Sequence, residues 1–166
     1  MSVHAGLIGL IIIALFMVGY YRVPGLVAIL ALIIYTLLVL LVFAALNVTM
    51  TLPGVAGFLL SMGMAVDTNI IIFERLKEEL WAGKTLRSAI DAGFKRAFVA
   101  VLDSHVTTLI TGVILFYFGT RPIKGFGITL SIGVVASLFT AVSMTQWMLH
   151  LVAGSNAIHD LRLYGK

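Results

Sequence analysis

The sequence predicts an all-α, polytopic membrane helix bundle of five transmembrane helices, with short amphipathic helices on its cytoplasmic side. Three observations carry that expectation. Hydrophobic residues fill 61% of the 166 positions and charged residues only 11%, and the mean hydropathy of +1.12 lies far outside the range of water-soluble domains. Five apolar stretches, at about 3–21, 24–46, 52–73, 97–118 and 126–151, approach or exceed the roughly 20 residues that cross the hydrocarbon. The only three prolines lie in RVPGL, TLPGV and TRPIKG, at or just before the start of an apolar stretch. A fixed φ and a missing N–H suit the first turn of a helix there.

The spans account for nearly the whole chain, so residues 1–166 read as a single transmembrane domain with no separate soluble domain. Aromatics collect near the expected ends of the first span (Phe16, Tyr20, Tyr21), the fourth (Phe116, Tyr117, Phe118) and the fifth (Trp147), as an interfacial belt requires. Between the third and fourth spans lies the one long polar connection, ERLKEELWAGKTLRSAIDAGFKR, residues 74–96. Leu76 and Leu80 repeat at i, i+4, as do Leu86, Ile90 and Phe94, with Gly83 between the halves and Thr85 placed to cap the second. This pattern predicts two short amphipathic helices along the membrane surface, or a solvated helical hairpin.

Charge sets the expected orientation. Arg121 and Lys124 fall on one face of a five-span bundle, whereas Arg22, Arg75, Lys77, Lys84, Arg87, Lys95, Arg96, Arg162 and Lys166 fall on the other. The second face is expected to be cytoplasmic. The N-terminus is then outside, yet MSVHAGLIGL has neither a basic n-region nor a small-residue cleavage site. An upstream span is therefore expected, which would make the chain a fragment or one part of a split protein. The basic pI of 9.6 is explained by topology and not by nucleic acid. Zero Cys excludes disulfides and thiolate metal sites.

Two acids interrupt the apolar stretches. Asp67 precedes Glu74, the first charge after the third span, by seven residues, and Asp103 follows Arg96 by seven. At 1.5 Å per residue both lie about 10 Å inside the same boundary, and antiparallel spans put them at one level. An Asp at a helix centre costs on the order of 2.5–3.5 kcal/mol, which neighbouring Leu, Ile and Val residues offset at roughly 0.3–0.6 each. Each acid is expected to point into the bundle or a watered cavity and to act as a proton relay, the plainer reading being a helix-packing hydrogen bond. Thr107, at i+4 from Asp103, and Thr108 offer hydroxyls, while Asn69 lies about 200° around the helix from Asp67. His105 reads first as a hydrogen-bonded packing residue and second as a titrating switch. Small residues at close helical spacing (Gly57 and Ser61, Gly63 in LSMG, Gly127 and Ser131, Gly133 and Ser137) predict tight helix packing.

Nothing points to an enzyme. There is no nucleophile–base arrangement, the GKT at 83–85 lacks a P-loop's earlier glycine, and the Asp and His residues form no ligand cluster, so no cofactor or metal is expected. His4, His150 and His159 lie near boundaries or in the tail and require no role.

GMAVDTNIIIFERLKEEL, residues 63–80, resembles the motif around the fourth transmembrane helix of the SecD family of Sec-translocon accessory proteins, within the RND superfamily. The block from AGKTLRSAIDAGFKRAF through GITLSIGVVASLFTAV is similar to the family's fifth and sixth helices, and YYRVPGL and TMTLPGVAG match its second-to-third helix turn and fourth-helix start. The resemblance covers the region from the second to the sixth helix. It implies an RND-type half in a bacterial cytoplasmic (inner) membrane, with SecF, the SecY channel complex and a translocating polypeptide as partners besides the lipid bilayer, and with proton-motive force driving export. It also places the family's fourth-helix Asp on Asp67 and its fifth-helix Asp on Asp103, with Thr107 and Thr108 following. Thr68 replaces the usual Ala, Ser104-His105 the usual Ala-Asn, and Arg121 the usual Gly. Two other functions remain open: a structural anchor that docks on SecF and the channel, and an RND-type exporter of lipid or small solute.

Overall fold

The computed structural model describes residues 2–154 and Tyr164. Its helices are α1 (Ser2–Tyr21), α2 (Val23–Ala45), α3 (Leu52–Trp81), α4 (Leu86–Phe118), α5 (Arg121–Phe139), a π-helical turn (Thr140–Met144) and α6 (Thr145–Gly154). His159, Arg162 and Lys166, and the side chain of His4, lie outside the described residues. Among the described residues, four helical stretches, Val23–Ala45, Leu52–Trp81, Leu86–Phe118 and Arg121–Gly154, are long and apolar enough to cross a bilayer, and Ile8–Tyr21 is a shorter apolar helix. The fold is the expected all-α membrane bundle.

Each helix begins where the sequence supplies a start. Pro24, Pro53 and Pro122 lie in the first turn of α2, α3 and α5, and the Thr51 hydroxyl caps α3 by accepting from the Gly54 N–H at 3.1 Å. Thr85 precedes α4 but makes no side-chain cap. Arg22 alone joins α1 to α2, at φ 52°, and Gly25 allows the turn because a side chain there would strike the Met17 carbonyl.

The expected separate amphipathic helices are in fact the ends of α3 and α4. No Gly or Pro intervenes between Asp67 and Trp81, so α3 continues unbroken for two turns beyond Phe73, and α4 begins at Leu86. The apolar residues assigned to a membrane surface bury against each other: Leu76, Leu80, Ile90 and Phe94 join Met17, Tyr21, Phe73 and Leu149 in one core. Gly93 makes the crossing possible, since a Cβ there would lie 2.9 Å from the Leu76 backbone. Glu79, almost fully buried, accepts from Arg96 at 2.7 Å and pairs with Lys84 across the turn. The Lys84 ammonium, more than the Arg96 guanidinium and against the effect of burial, holds the Glu79 carboxyl below its ordinary value. On the neighbouring side Tyr21 donates to Glu74 at 2.7 Å, and the Lys77 ammonium lies 4.0 Å from the Tyr20 ring centre.

A second core gathers Tyr35, Val39 and Phe43 of α2 with Met62 and Ala65 of α3 and Ala136 of α5. α3, α4 and α5 make the most extensive mutual contacts. Their backbones approach at small residues: the Gly57 position faces Thr129, Gly127 faces the Gly112 carbonyl, and Gly133 abuts Ser61. Gly63, also expected to pack, instead faces open space.

Candidate functional site

Asp67 and Asp103 are both exposed. The expectation that each points into this chain's own bundle is therefore corrected, and the reason is angular. Ala65, Val66, Thr68, Asn69 and Ile72 are buried in the bundle, so at 100° per residue Asp67 is carried to the opposite side with Ala56, Leu60 and Gly63. On α4, Ala97, Val101, His105 and Gly112 are buried, which turns Asp103, Thr107 and Thr111 outward in one stripe. Among the described residues, neither carboxylate has a hydrogen-bond or ion-pair partner.

The hydroxyls expected to serve Asp103 are committed elsewhere. Thr107 donates to the Asp103 backbone carbonyl at 2.9 Å, Thr111 to that of Thr107 at 3.0 Å, and Thr108 to that of Ser104 at 2.9 Å. Such back-bonding satisfies the donor within the helix and leaves the oxygen with lone pairs facing outward. α4 is also the least enclosed span: of its most apolar 18 residues 17% are buried, against 56% in Arg121–Gly154. On a helix that crosses a bilayer, a face with a carboxylate and a row of hydroxyls is unsuited to acyl chains, because a charge at the helix centre costs on the order of 2.5–3.5 kcal/mol. It requires water or polar groups from another protein segment.

Polar residues on the inner sides of the same helices have hydrogen-bond partners in other helices. Asn69 accepts from the Thr145 hydroxyl at 3.1 Å. His105 places Nδ1 2.8 Å from the Val101 carbonyl and Nε2 2.7 Å from the Ser137 hydroxyl. A carbonyl only accepts, so Nδ1 carries the proton, and in the neutral ring Nε2 accepts from Ser137. Tyr35 donates to Ser61 at 2.6 Å, and Ser61 donates to the Phe58 carbonyl at 2.7 Å.

Sequence reasoning missed Thr140 and Thr145. Five residues apart, they diverge on an α-helix and share a side only because the intervening turn is π-helical. Had the width of that turn been known, the TAVSMT spelling would have revealed them.

An apolar bundle whose helices are long enough to cross a bilayer defines a polytopic membrane protein, and comparison with known proteins makes the class specific. The family described as "Protein export membrane protein SecD/SecF, C-terminal" matches residues 1–154, and the chain belongs to it. It is 57% identical over 164 residues to the protein translocase subunit SecD of Acidaminococcus fermentans, covering 99% of this chain and 39% of that protein. It is 54% identical over 151 residues to the SecD subunit of Synechocystis sp., covering 91% of this chain and 32% of that one. The crystal structure of SecDF, a translocon-associated membrane protein from Thermus thermophilus, superposes with a TM-score of 0.90 at 40% identity, over 95% of this chain and 22% of that one. The chain thus spans about a third of the length of these curated relatives.

Proposed function

We propose that this chain is the membrane-embedded, proton-handling part of a Sec-associated export subunit, in which Asp67 and Asp103 take up and release protons as the bundle changes packing. The observation that carries the reading is the pair of exposed, unpartnered carboxylates on α3 and α4, set at membrane depth beside a row of hydroxyls. An ionised acid in that position is tolerated only where water or a polar partner reaches it, and a protonated one is tolerated in either setting. Its proton occupancy therefore depends on what faces it.

The partner of matching chemistry is a second membrane bundle, SecF in this family, that covers the exposed faces of α3 and α4 and supplies polar groups opposite the acids. Thr107 shares the outward stripe with Asp103, and the half-buried Thr108 lies next to it around the helix. The SecY channel complex and the translocating polypeptide complete the assembly. In this orientation the nine-cation face, with the α3–α4 hairpin, is cytoplasmic and the N-terminus lies outside. Moving one charge through 100 mV supplies about 2.3 kcal/mol, a roughly 50-fold bias on a two-state bundle.

The test is Asp67→Asn in the full-length subunit assembled with its partners in sealed vesicles. Export stimulated by a proton gradient is expected to fall to the level without a gradient, while expression and assembly stay normal. Undiminished stimulation would refute the proton role.

A further inference from the structure

Two residues from each carboxylate, on the inner side of the same helix, lies a buried polar residue: Asn69 on α3 and His105 on α4. Both are joined to the last span, and between their attachment points runs the π-helical turn. From the α3 side, the Thr145 hydroxyl lies 3.1 Å from Asn69 Oδ1 and 3.3 Å from the Thr140 carbonyl. The Thr140 hydroxyl reaches back to the carbonyls of Ala136, at 3.0 Å, and Ser137, at 3.3 Å. Ser137 then meets His105 Nε2 at 2.7 Å. All five residues are at least 97% buried.

We propose that Asn69, Thr145, Thr140, Ser137 and His105 form a hydrogen-bonded seam across the π-helical turn that couples α3 to α4. A change of charge at Asp67 is thereby felt at the Asp103-bearing helix through the last span. The inference deepens the reading above, since it takes Asp67 as the group whose charge changes.

Three features support coupling over simple adhesion. First, the seam passes through Thr140 by way of backbone carbonyls, so it carries displacement and not protons. Second, a π-turn has one residue more than an α-turn and can return to α-helical pairing by shifting a single carbonyl, which gives the last span two discrete arrangements. The Thr145 hydroxyl sits on the Thr140 carbonyl of that very turn. Third, the seam's members are buried polar groups in an apolar interior, where a donor or acceptor cannot be abandoned and the bonds must move together. The five are positioning residues, acting through the carboxylates' helices.

The experiment is a distance measurement in the full-length complex. Spin labels go on Leu41→Cys of α2 and Tyr117→Cys of α4, both exposed sites, and the chain itself contributes no competing cysteine. Asp67→Asn, which mimics the protonated acid, is expected to move the interspin distance by about 1–2 Å, the size of a helix shift. In Thr145→Val or Ser137→Ala backgrounds that shift is expected to vanish, and in Thr145→Ser, which keeps the hydroxyl, to persist. An equal shift in the Thr145→Val background overturns the seam, as does the absence of any shift in the unbroken one. Vesicle export by Asp67→Asn separates the two ideas: normal export together with a Thr145-dependent shift leaves the seam standing and removes the proton role.

Discussion

Gly133→Ala places the smallest possible addition at the tightest α3–α5 contact. The new Cβ would overlap the Ser61 side chain and come 2.9 Å from the Tyr35 hydroxyl. Ser61 has little room to give, because it accepts from Tyr35 at 2.6 Å and donates to the Phe58 carbonyl at 2.7 Å. Two costs compete. If the helices hold their distance, Ser61 must turn away and the Tyr35 bond is lost, which in a membrane protein averages about 0.6 kcal/mol. If they separate, contacts along α3 and α5 loosen, and overpacking of this kind costs about 1–3 kcal/mol. Ser61 Cβ, which cannot rotate away, is involved as well as the hydroxyl, so the second cost dominates. Thermal unfolding of the purified full-length protein in detergent should show Gly133→Ala destabilised by about 1–3 kcal/mol. Ser61→Gly in the same chain should recover most of the loss, since it removes both clashing atoms. A Gly133→Ala protein as stable as the parent, or no recovery in the double variant, would refute the packing argument.

Other outcomes follow from the same geometry. The Glu79 carboxyl lies below its ordinary value of 4.5 in the fold, so its contribution is fully present above that value and is lost as pH falls through the folded-state value. The acid limb of a stability-versus-pH curve should accordingly flatten in Glu79→Gln, and an unchanged limb would deny the clasp any role. Tyr21→Phe removes the donor to Glu74 and should cost about 0.5–1.5 kcal/mol in the same unfolding assay. Thr111→Val deletes only a hydroxyl bonded to its own helix, so stability should change by less than about 1 kcal/mol, measurable as a near-constant melting temperature.

Much of this fold could be read from the chain because a bilayer leaves few choices. Every backbone group must pair internally, so long apolar stretches become helices, and Pro24, Pro53 and Pro122 mark where they start. That Asp67 and Asp103 interrupt apolar helices was equally legible from the residue order. Their direction was not. Which side of a helix is covered depends on its neighbours, and α4 turns Asp103 outward only because Val101 and His105 meet other helices. The polar segment 74–96 misled for a related reason: charge signals water but not the end of a helix, and Glu74 to Glu78 simply continue α3. The π-helical turn left no mark, since TAVSM contains nothing that an α-helix would refuse.

The unbroken length of α3 has a mechanical consequence. Thirty residues span about 45 Å, half as long again as the hydrocarbon, so the rod is long enough for a third of it to stand clear of a bilayer as a lever. A tilt of roughly 5° about its far end sweeps the Trp81 tip through about 4 Å. Glu79 ties that tip to Lys84 and Arg96 at the foot of α4, and Gly93 seats the two arms backbone to backbone, so any such tilt would carry the hairpin as one stiff oar.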